Sequence, residues 1–430
     1  MQNDMESNLT TDDGRLASEA LAVATEAGHI LLENGAEISR VEETMERISS
    51  HYGVNSSNFF VLSNGIFTTG SSFANVEYIP FKGTQLDKVV AVNQLSRDIE
   101  HGRYTLAEAH TRLQAIRHMP ARPFWEQVIA SAIGSAAFCI IFGGGLADSA
   151  VAFVAGLLLY MFVLGITAPR LSKIFSNICG GAVVTLVCLL AHRMGFGHNL
   201  SNILVGAVIP LVPGVPFTNG IRDIANEDYI AGITRLLDAM MVFVCIALGV
   251  SLTFFLSSRI TGYAEPLPGM VVDTVTARWL VQLAAAGIGT SAFAVLFGVP
   301  RRHYALCGVV GLAGWLVYLL MTRCAGSSVV MASCVATIAV ALLSRGCAIW
   351  KKCVVTVFLI CGIFPLVPGG GIFWTAFHTI SGHLGMTLTT GFTAIKVTVA
   401  IILGIVFVTE IPFRISRHIR RKLKARRNGN

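Results

Sequence analysis

Two copies of one short phrase, Pro210-Leu-Val-Pro-Gly214 and Pro365-Leu-Val-Pro-Gly369, stand inside long apolar runs and restrict what the chain can fold into. A helix accommodates one proline as a kink. Two prolines three residues apart, followed by glycine, remove two backbone donors and loosen the next residues, so each run must be a broken helix. In a bilayer the backbone groups released at a break have no lipid partner, so the break must face protein, water or a ligand.

The two phrases lie 155 residues apart, and the same offset aligns Ile133-Gly-Ser-Ala-Ala-Phe138 with Ile288-Gly-Thr-Ser-Ala-Phe293, and Phe142-Gly143 with Phe297-Gly298. The apolar part is therefore an internal duplication. Hydrophobic content of 53%, charged content of 13% and a mean hydropathy of +0.66 exclude an ordinary soluble globule. Charge is uneven: residues 1–122 hold 16 of the 25 acidic and 10 of the 32 basic residues, which marks a mildly acidic soluble domain joined to a basic membrane domain. Much of the basic excess is the tail Arg414 to Arg427, read as a topology anchor touching anionic lipid rather than a nucleic-acid site.

None of the ten cysteines lies in the soluble domain and none shows a CxxC or Cys/His ligand spacing, so neither a disulfide framework, a metal site nor a cofactor is expected. The opening MQNDMESNLTTDDG does not read as a cleavable signal peptide. Helical periodicity runs through Leu21, Ala24, Ile30 and Leu31, then Ile38, Val41, Met45 and Ile48. Short strands are expected at Phe59 to Leu62, Gly65 to Thr69 and Val76 to Ile79, with helices again near 84–100 and 105–117.

These patterns predict an α-helical integral membrane protein of about ten spans with a small N-terminal α+β domain. The expected bounds are a disordered tail at 1–14, the soluble domain at 15–122, a first five-helix repeat at 123–260, an external linker at 261–277, a second repeat at 278–413 and a basic tail at 414–430. The expected spans are 124–144, 147–167, 171–191, 200–217, 236–257, 279–299, 304–321, 327–344, 352–369 and 388–411. With the N-terminus inside, 17 basic residues fall on the cytoplasmic side and four outside, which places both termini in the cytoplasm. Five spans per repeat make the halves an inverted pair, as in secondary transporters whose broken helices hold substrate near the midplane.

Leu31-Leu-Glu-Asn-Gly-Ala36, Ile38-Ser-Arg-Val-Glu42, the first PLVPG and Arg222-Asp-Ile-Ala-Asn-Glu-Asp-Tyr229-Ile-Ala-Gly232-Ile-Thr-Arg235 together resemble the threonine/serine exporter family, over about residues 15–412. The resemblance implies an inner or plasma membrane exporter of threonine and serine driven by the proton gradient. Relatives with the two halves on separate chains imply a second substrate class, dicarboxylates such as succinate. The second repeat lacks a counterpart of Arg222-Asp223, so its site need not mirror the first.

An amino acid zwitterion needs donors for its carboxylate and acceptors for its ammonium, which half-helix ends and freed carbonyls supply. The expected substrate-binding residues are Pro210, Pro213, Gly214 and Asn219 after the first break, and Pro365, Pro368, Gly369, Gly370 and Thr375 after the second. A kink serving packing alone is the alternative. For coupling or gating the candidates are Arg222, Asp223, Arg235, Asp238, His378 and Lys396. Asp238 and Lys396 either face a central cavity or snorkel to an interface; His378 and His383 either sense protons outside or are solvated.

No HExxH, GxSxG or P-loop pattern occurs, so no catalytic residue is assigned and the soluble domain is expected to regulate, assemble or gate. The reading from another class is a membrane-tethered enzyme or signalling protein acting through that domain. The expected partners are a small polar metabolite, protons and lipid, with homo-oligomerisation compatible and nucleic acid excluded.

Overall fold

The computed structural model describes residues 2–54, 58–70, 74–167, 172–261 and 279–427, and side chains over 15–54, 59–70, 74–166, 172–261 and 279–408. The expected linker at 261–277 lies outside these residues apart from Thr261.

The N-terminal elements are α1 (Gln2–Glu33), α2 (Ile38–His51), β1 (Asn58–Leu62), β2 (Gly65–Thr69), β3 (Ala74–Tyr78), α3 (Leu86–Glu100) and α4 (Leu106–Arg117). Then come α5 (Phe124–Ile141), α6 (Leu146–Phe162), α7 (Lys173–Arg193), α8 (Leu200–Val208), α9 (Gly214–Ala225) and α10 (Tyr229–Thr261). The same order recurs in α11 (Trp279–Leu296), α12 (Tyr304–Leu319), α13 (Val329–Lys351), α14 (Val355–Ile363), α15 (Gly369–Ile380) and α16 (Leu384–Arg427). Helix α1 includes residues 2–14, and α16 continues to Arg427.

Local chemistry sets the repeated starts. Ser172 and Ser328 stand at the N-caps of α7 and α13 and accept from the amides of Phe175 and Met331, relieving donors that a helix leaves open. The two breaks share one conformation. A 3-10 turn, Ile209–Leu211 or Phe364–Leu366, leads into an extended valine, Val212 (φ −61°, ψ 127°) or Val367 (φ −60°, ψ 130°). The amide of Gly214 then bonds the Val212 carbonyl at 2.8 Å, and that of Gly369 the Val367 carbonyl at 2.7 Å, closing a three-residue turn around each second proline. The arms bend by 71° at the first break and 51° at the second. Among the described residues, eight helices are long and apolar enough to cross a membrane, or ten when each bent pair counts as one span. The pairs run on to Ala225 and Ile380, beyond the expected span ends at 217 and 369, because a new helix begins at each glycine.

The chain forms two compact units. The first comprises residues 1–123 with two segments of the apolar half, 215–236 and 296–302; the second holds the rest. In the first unit the periodic residues Leu21, Ala24, Ile30, Leu31, Ile38, Val41, Met45 and Ile48 are all buried. The antiparallel sheet has order β1-β2-β3, and Val61, Ile66 and Thr68 form its buried face, with Thr68 Oγ1 3.0 Å from Thr25 Oγ1 of α1.

In the second unit the duplicated motif is a reciprocal contact. A Cβ added to Gly134 of α5 would lie 2.8 Å from the Phe293 ring of α11, and one added to Gly289 of α11 would lie 3.0 Å from Ala137 Cβ and 3.3 Å from the Phe138 ring of α5. Gly134 and Gly289, like Phe138 and Phe293, are 155 apart, so each half offers a glycine to the other half's phenylalanine, as two-fold related copies do. The rings meet edge to face, with centroids 5.2 Å apart.

Candidate functional site

In the second unit the two breaks are neighbours. A Cβ at Gly369 would lie 3.5 Å from Val212 Cγ1, so the start of α15 abuts the extended residue of the first break. Phe364, in the turn before the second break, packs 5.3 Å from Phe138 and 4.2 Å from Phe293, centroid to centroid, and all three rings are buried. An aromatic plug thus sits where the duplicated helices and the second break converge. Its counterpart in the first break is Ile209, so the plug is not symmetric.

Beyond the second break α15 carries a polar stripe. Thr375 Oγ1 bonds Gly371 O at 2.7 Å and Thr390 Oγ1 of α16 at 3.0 Å, and Thr379 reaches Thr387 at 3.5 Å. Trp374, 2% exposed, stacks on His378 at 5.6 Å, and its Nε1–H has no hydrogen-bond partner among the described residues. His378 and His383 lie 6.2 Å apart, half-buried and exposed respectively. A cavity of about 500 Å³ opens between α10 and α15, lined by Ser251, Phe254, Phe255, Phe377 and Ser381 among others.

The first break ends differently, in a buried ionic cluster of the first unit. Asp223, fully buried on α9, accepts from the Ile38 amide at 3.2 Å and from Arg235 Nη1 at 2.6 Å. Arg235 Nη2 donates to the Ala36 carbonyl at 2.9 Å, and Arg222 pairs with Glu37 at 3.3 Å. Asn219 Nδ2 donates to the Gly35 carbonyl at 2.7 Å, leaving its Oδ1 without a partner among the described residues. Gly35 has φ +87°, a left-handed turn that suits glycine. Helix α2 has no side-chain cap of its own, so the Asp223 carboxylate caps it from 185 residues away and opposes its positive end.

Helix α3 lacks a side-chain cap as well, and the second half supplies the partners. The amides of Leu86 and Asp87 donate to the carbonyls of Phe297 and Gly298 at 3.0 and 2.8 Å, and Arg122 bridges Asp87 (3.2 Å) and Val299 O (2.9 Å). Gly298 has φ +65°, and a Cβ there would lie 3.0 Å from Gln85 Cα. The N-terminal residues therefore grip one segment from each half, and both grips use open helix amides. Burial pushes the carboxyls of Glu42, Asp87 and Asp228 up; the Val61 amide opposes this at Glu42, and guanidinium groups oppose it at the two aspartates.

Of the residues expected from the sequence, Asn219, Arg222, Asp223 and Arg235 come together in the first unit. Pro210 and Pro213 are half-buried, Gly214 is buried, and Pro365, Gly369 and Gly370 are buried with Pro368 half-buried, all at the breaks. Thr375 and His378 lie on the polar stripe. Asp238 and Lys396 both have exposed side chains. Reasoning from sequence passed over Glu37, the Phe138-Phe293-Phe364 plug and the Phe297-Gly298 grip. The recurrence of Phe138 and Phe293 in the duplicated motif was the available signal.

Comparison with known proteins gives a consistent picture. The ThrE family model of threonine/serine exporters matches residues 22–257, and a second, "Threonine/Serine exporter, ThrE", matches residues 282–411. A "Threonine/serine exporter" of Corynebacterium glutamicum is 23% identical over 91% of this chain and 81% of its own length. A "Probable threonine/serine exporter" of Mycobacterium tuberculosis is 21% identical over 75% of this chain and 63% of its own. The "Probable succinate transporter subunit YjjP" of Escherichia coli is 25% identical over 52% of this chain and 90% of its own length. No solved structure matches significantly. With a family model covering more than half of its length, a multi-pass architecture and paired helix breaks in contact, the chain belongs to the threonine/serine exporter family and is a membrane transporter.

Proposed function

We propose that the chain exports threonine and serine by alternating access between two inverted repeats, using the proton gradient, with both termini in the cytoplasm of an inner or plasma membrane. The observation that carries this reading is the reciprocal Gly134–Phe293 and Gly289–Phe138 contact beside two adjoining breaks. Equivalent halves meeting face to face can rock about their contact, and the freed backbone at 210–214 and 365–370 supplies donors and acceptors to a zwitterion without buried charge. The Trp374 Nε1–H and the Thr375–Thr390 hydroxyls add polar contacts on the second arm. Gating falls to the grips of the N-terminal domain on 215–236 and 296–302, which must loosen or move together when the halves rearrange.

Dicarboxylate export is the second reading, favoured by the match to a protein named as a succinate transporter subunit. Against it, Arg222 and Arg235 beside the first break are each held by a carboxylate, Glu37 and Asp223, so neither is a spare cation for a dianion. The test is efflux of labelled threonine and of labelled succinate from loaded cells lacking or overproducing the chain, with and without a protonophore. Expression-dependent, protonophore-sensitive threonine efflux is expected. Succinate efflux alone would replace the substrate, and no flux of either would return attention to the soluble domain.

A further inference from the structure

The three-stranded sheet has two apolar faces, although α1 and α2 cover one. On the other, Phe60, Phe67, Val76 and Tyr78 are exposed by 55, 38, 67 and 73%. Register places Phe60 opposite Phe67 and Phe67 opposite Val76, so one apolar row crosses all three strands, with the two rings 5.9 Å apart. Tyr78 sits opposite Gly65, which offers it no side chain. A sheet with one solvated face alternates apolar and polar residues, and this sheet breaks that rule at four positions. With aromatic side chains carrying 150–250 Å² each, the uncovered apolar area is roughly 400 Å². The largest apolar patch on a folded monomer is about 300–600 Å² and is often functional, and this face falls in that range.

Charge narrows the choice of occupant. The strands contain one charged residue, Glu77, which points to the covered face and pairs with His29 at 3.4 Å. A face without charge has no attraction for anionic lipid or nucleic acid and no complement for a charged partner. It does complement itself: a two-fold axis would lay one Phe60–Phe67–Val76 row against another at the ~10 Å spacing of stacked sheets. The area is about half of the ~800 Å² per partner found in stable soluble complexes. It suffices for partners already concentrated together, as two copies anchored in one bilayer are.

We propose that Phe60, Phe67, Val76 and Tyr78 form the surface through which two copies of this chain pair in the membrane. The test uses the full-length chain in native membranes with Val76→Cys, beside the unsubstituted chain, which reports its ten native cysteines, and Gln94→Cys, an exposed position on α3. Mild oxidation should yield a dimer at least about five-fold enriched for Val76→Cys over both controls, lost when Tyr78→Glu is added at unchanged membrane level. Because Tyr78 is 73% exposed, this second change leaves the covered face intact; mass measurement in nanodiscs should then shift from dimer to monomer. Equal crosslinking at positions 76 and 94, no dimer at 76, a crosslink to a different protein, or quenching of a position-76 dye by labelled lipid would each overturn the proposal.

Discussion

The two helix breaks share a phrase, a conformation and a place in the element order, yet their second arms end in different chemistry. Arm α9 runs into Asp223, which sits under Arg235 and caps α2 of the N-terminal domain. Arm α15 runs into Thr375, His378 and His383, with threonines of α16 beside it and a cavity at its end. One arm is bonded to α2 of the N-terminal domain, and the other is bordered by hydroxyls and imidazoles.

The sharpest way to break this comparison is to remove the anchor. Asp223→Asn leaves Arg235 buried without its counter-charge and weakens the α2 cap, an effect of about 3–5 kcal/mol for a buried pair broken on one side. Limited proteolysis should show the N-terminal domain released or the chain lost from the membrane. A variant that stays as protease-resistant as the parent would mean that the cluster does not hold the arm.

Next in size are Gly134→Ala and Gly289→Ala, which press a methyl toward Phe293 and Phe138 and should each cost about 1–3 kcal/mol by overpacking. If the halves are equivalent here, both lower the melting temperature in detergent, and Phe293→Leu and Phe138→Leu respectively restore it. Rescue on one side only would show that the symmetry stops short of the packing.

On the open arm, Thr390→Val removes one hydroxyl pair and should cost only about 1 kcal/mol in stability. A several-fold fall in threonine efflux without a matching fall in thermal stability would place this stripe on the pathway, whereas unchanged efflux would reduce it to packing.

The smallest effect concerns pH at the anchored side. Burial raises the Glu42 carboxyl above its ordinary 4.5, with Asp228 and Glu46 adding to the rise and the Val61 amide opposing it. The protonated form is therefore favoured in the fold, so this group's stabilising contribution is present below about 4.5 and declines as pH climbs through the raised value. Glu42→Gln should flatten that part of the stability profile in a pH-dependent melt; an unchanged slope would assign it to another group.

Helices, strands and breaks were legible because each has a short-range cause. Leu21 to Ile48 repeat at helical spacing, Gly65 to Thr69 stand between Asn-Gly and Ser-rich turn signals, and paired prolines forbid a continuous helix. The site was legible in part. Asp223 and Arg235 stood out as charges near a span, but nothing local says that their partners are Ile38 and Ala36, nearly 200 positions away. Asp238 and Lys396 stood out equally but have exposed side chains, because a charge near a span has two remedies, a buried partner or contact with water, and the sequence does not distinguish them.

What the sequence by itself determined is the class of molecule: a duplicated, apolar, many-span chain with two obligatory breaks and a small α+β domain in front. Periodicity, proline stereochemistry and transfer free energy act within a few residues and need no knowledge of the rest of the chain. Tertiary structure alone decided that the breaks touch, that Phe138 and Phe293 answer each other's glycines, and that the open amides of α2 and α3 are satisfied by the two halves of the apolar region. Those contacts join residues about 150 to 210 positions apart, and their energy depends on distance and burial that exist only once the chain has folded.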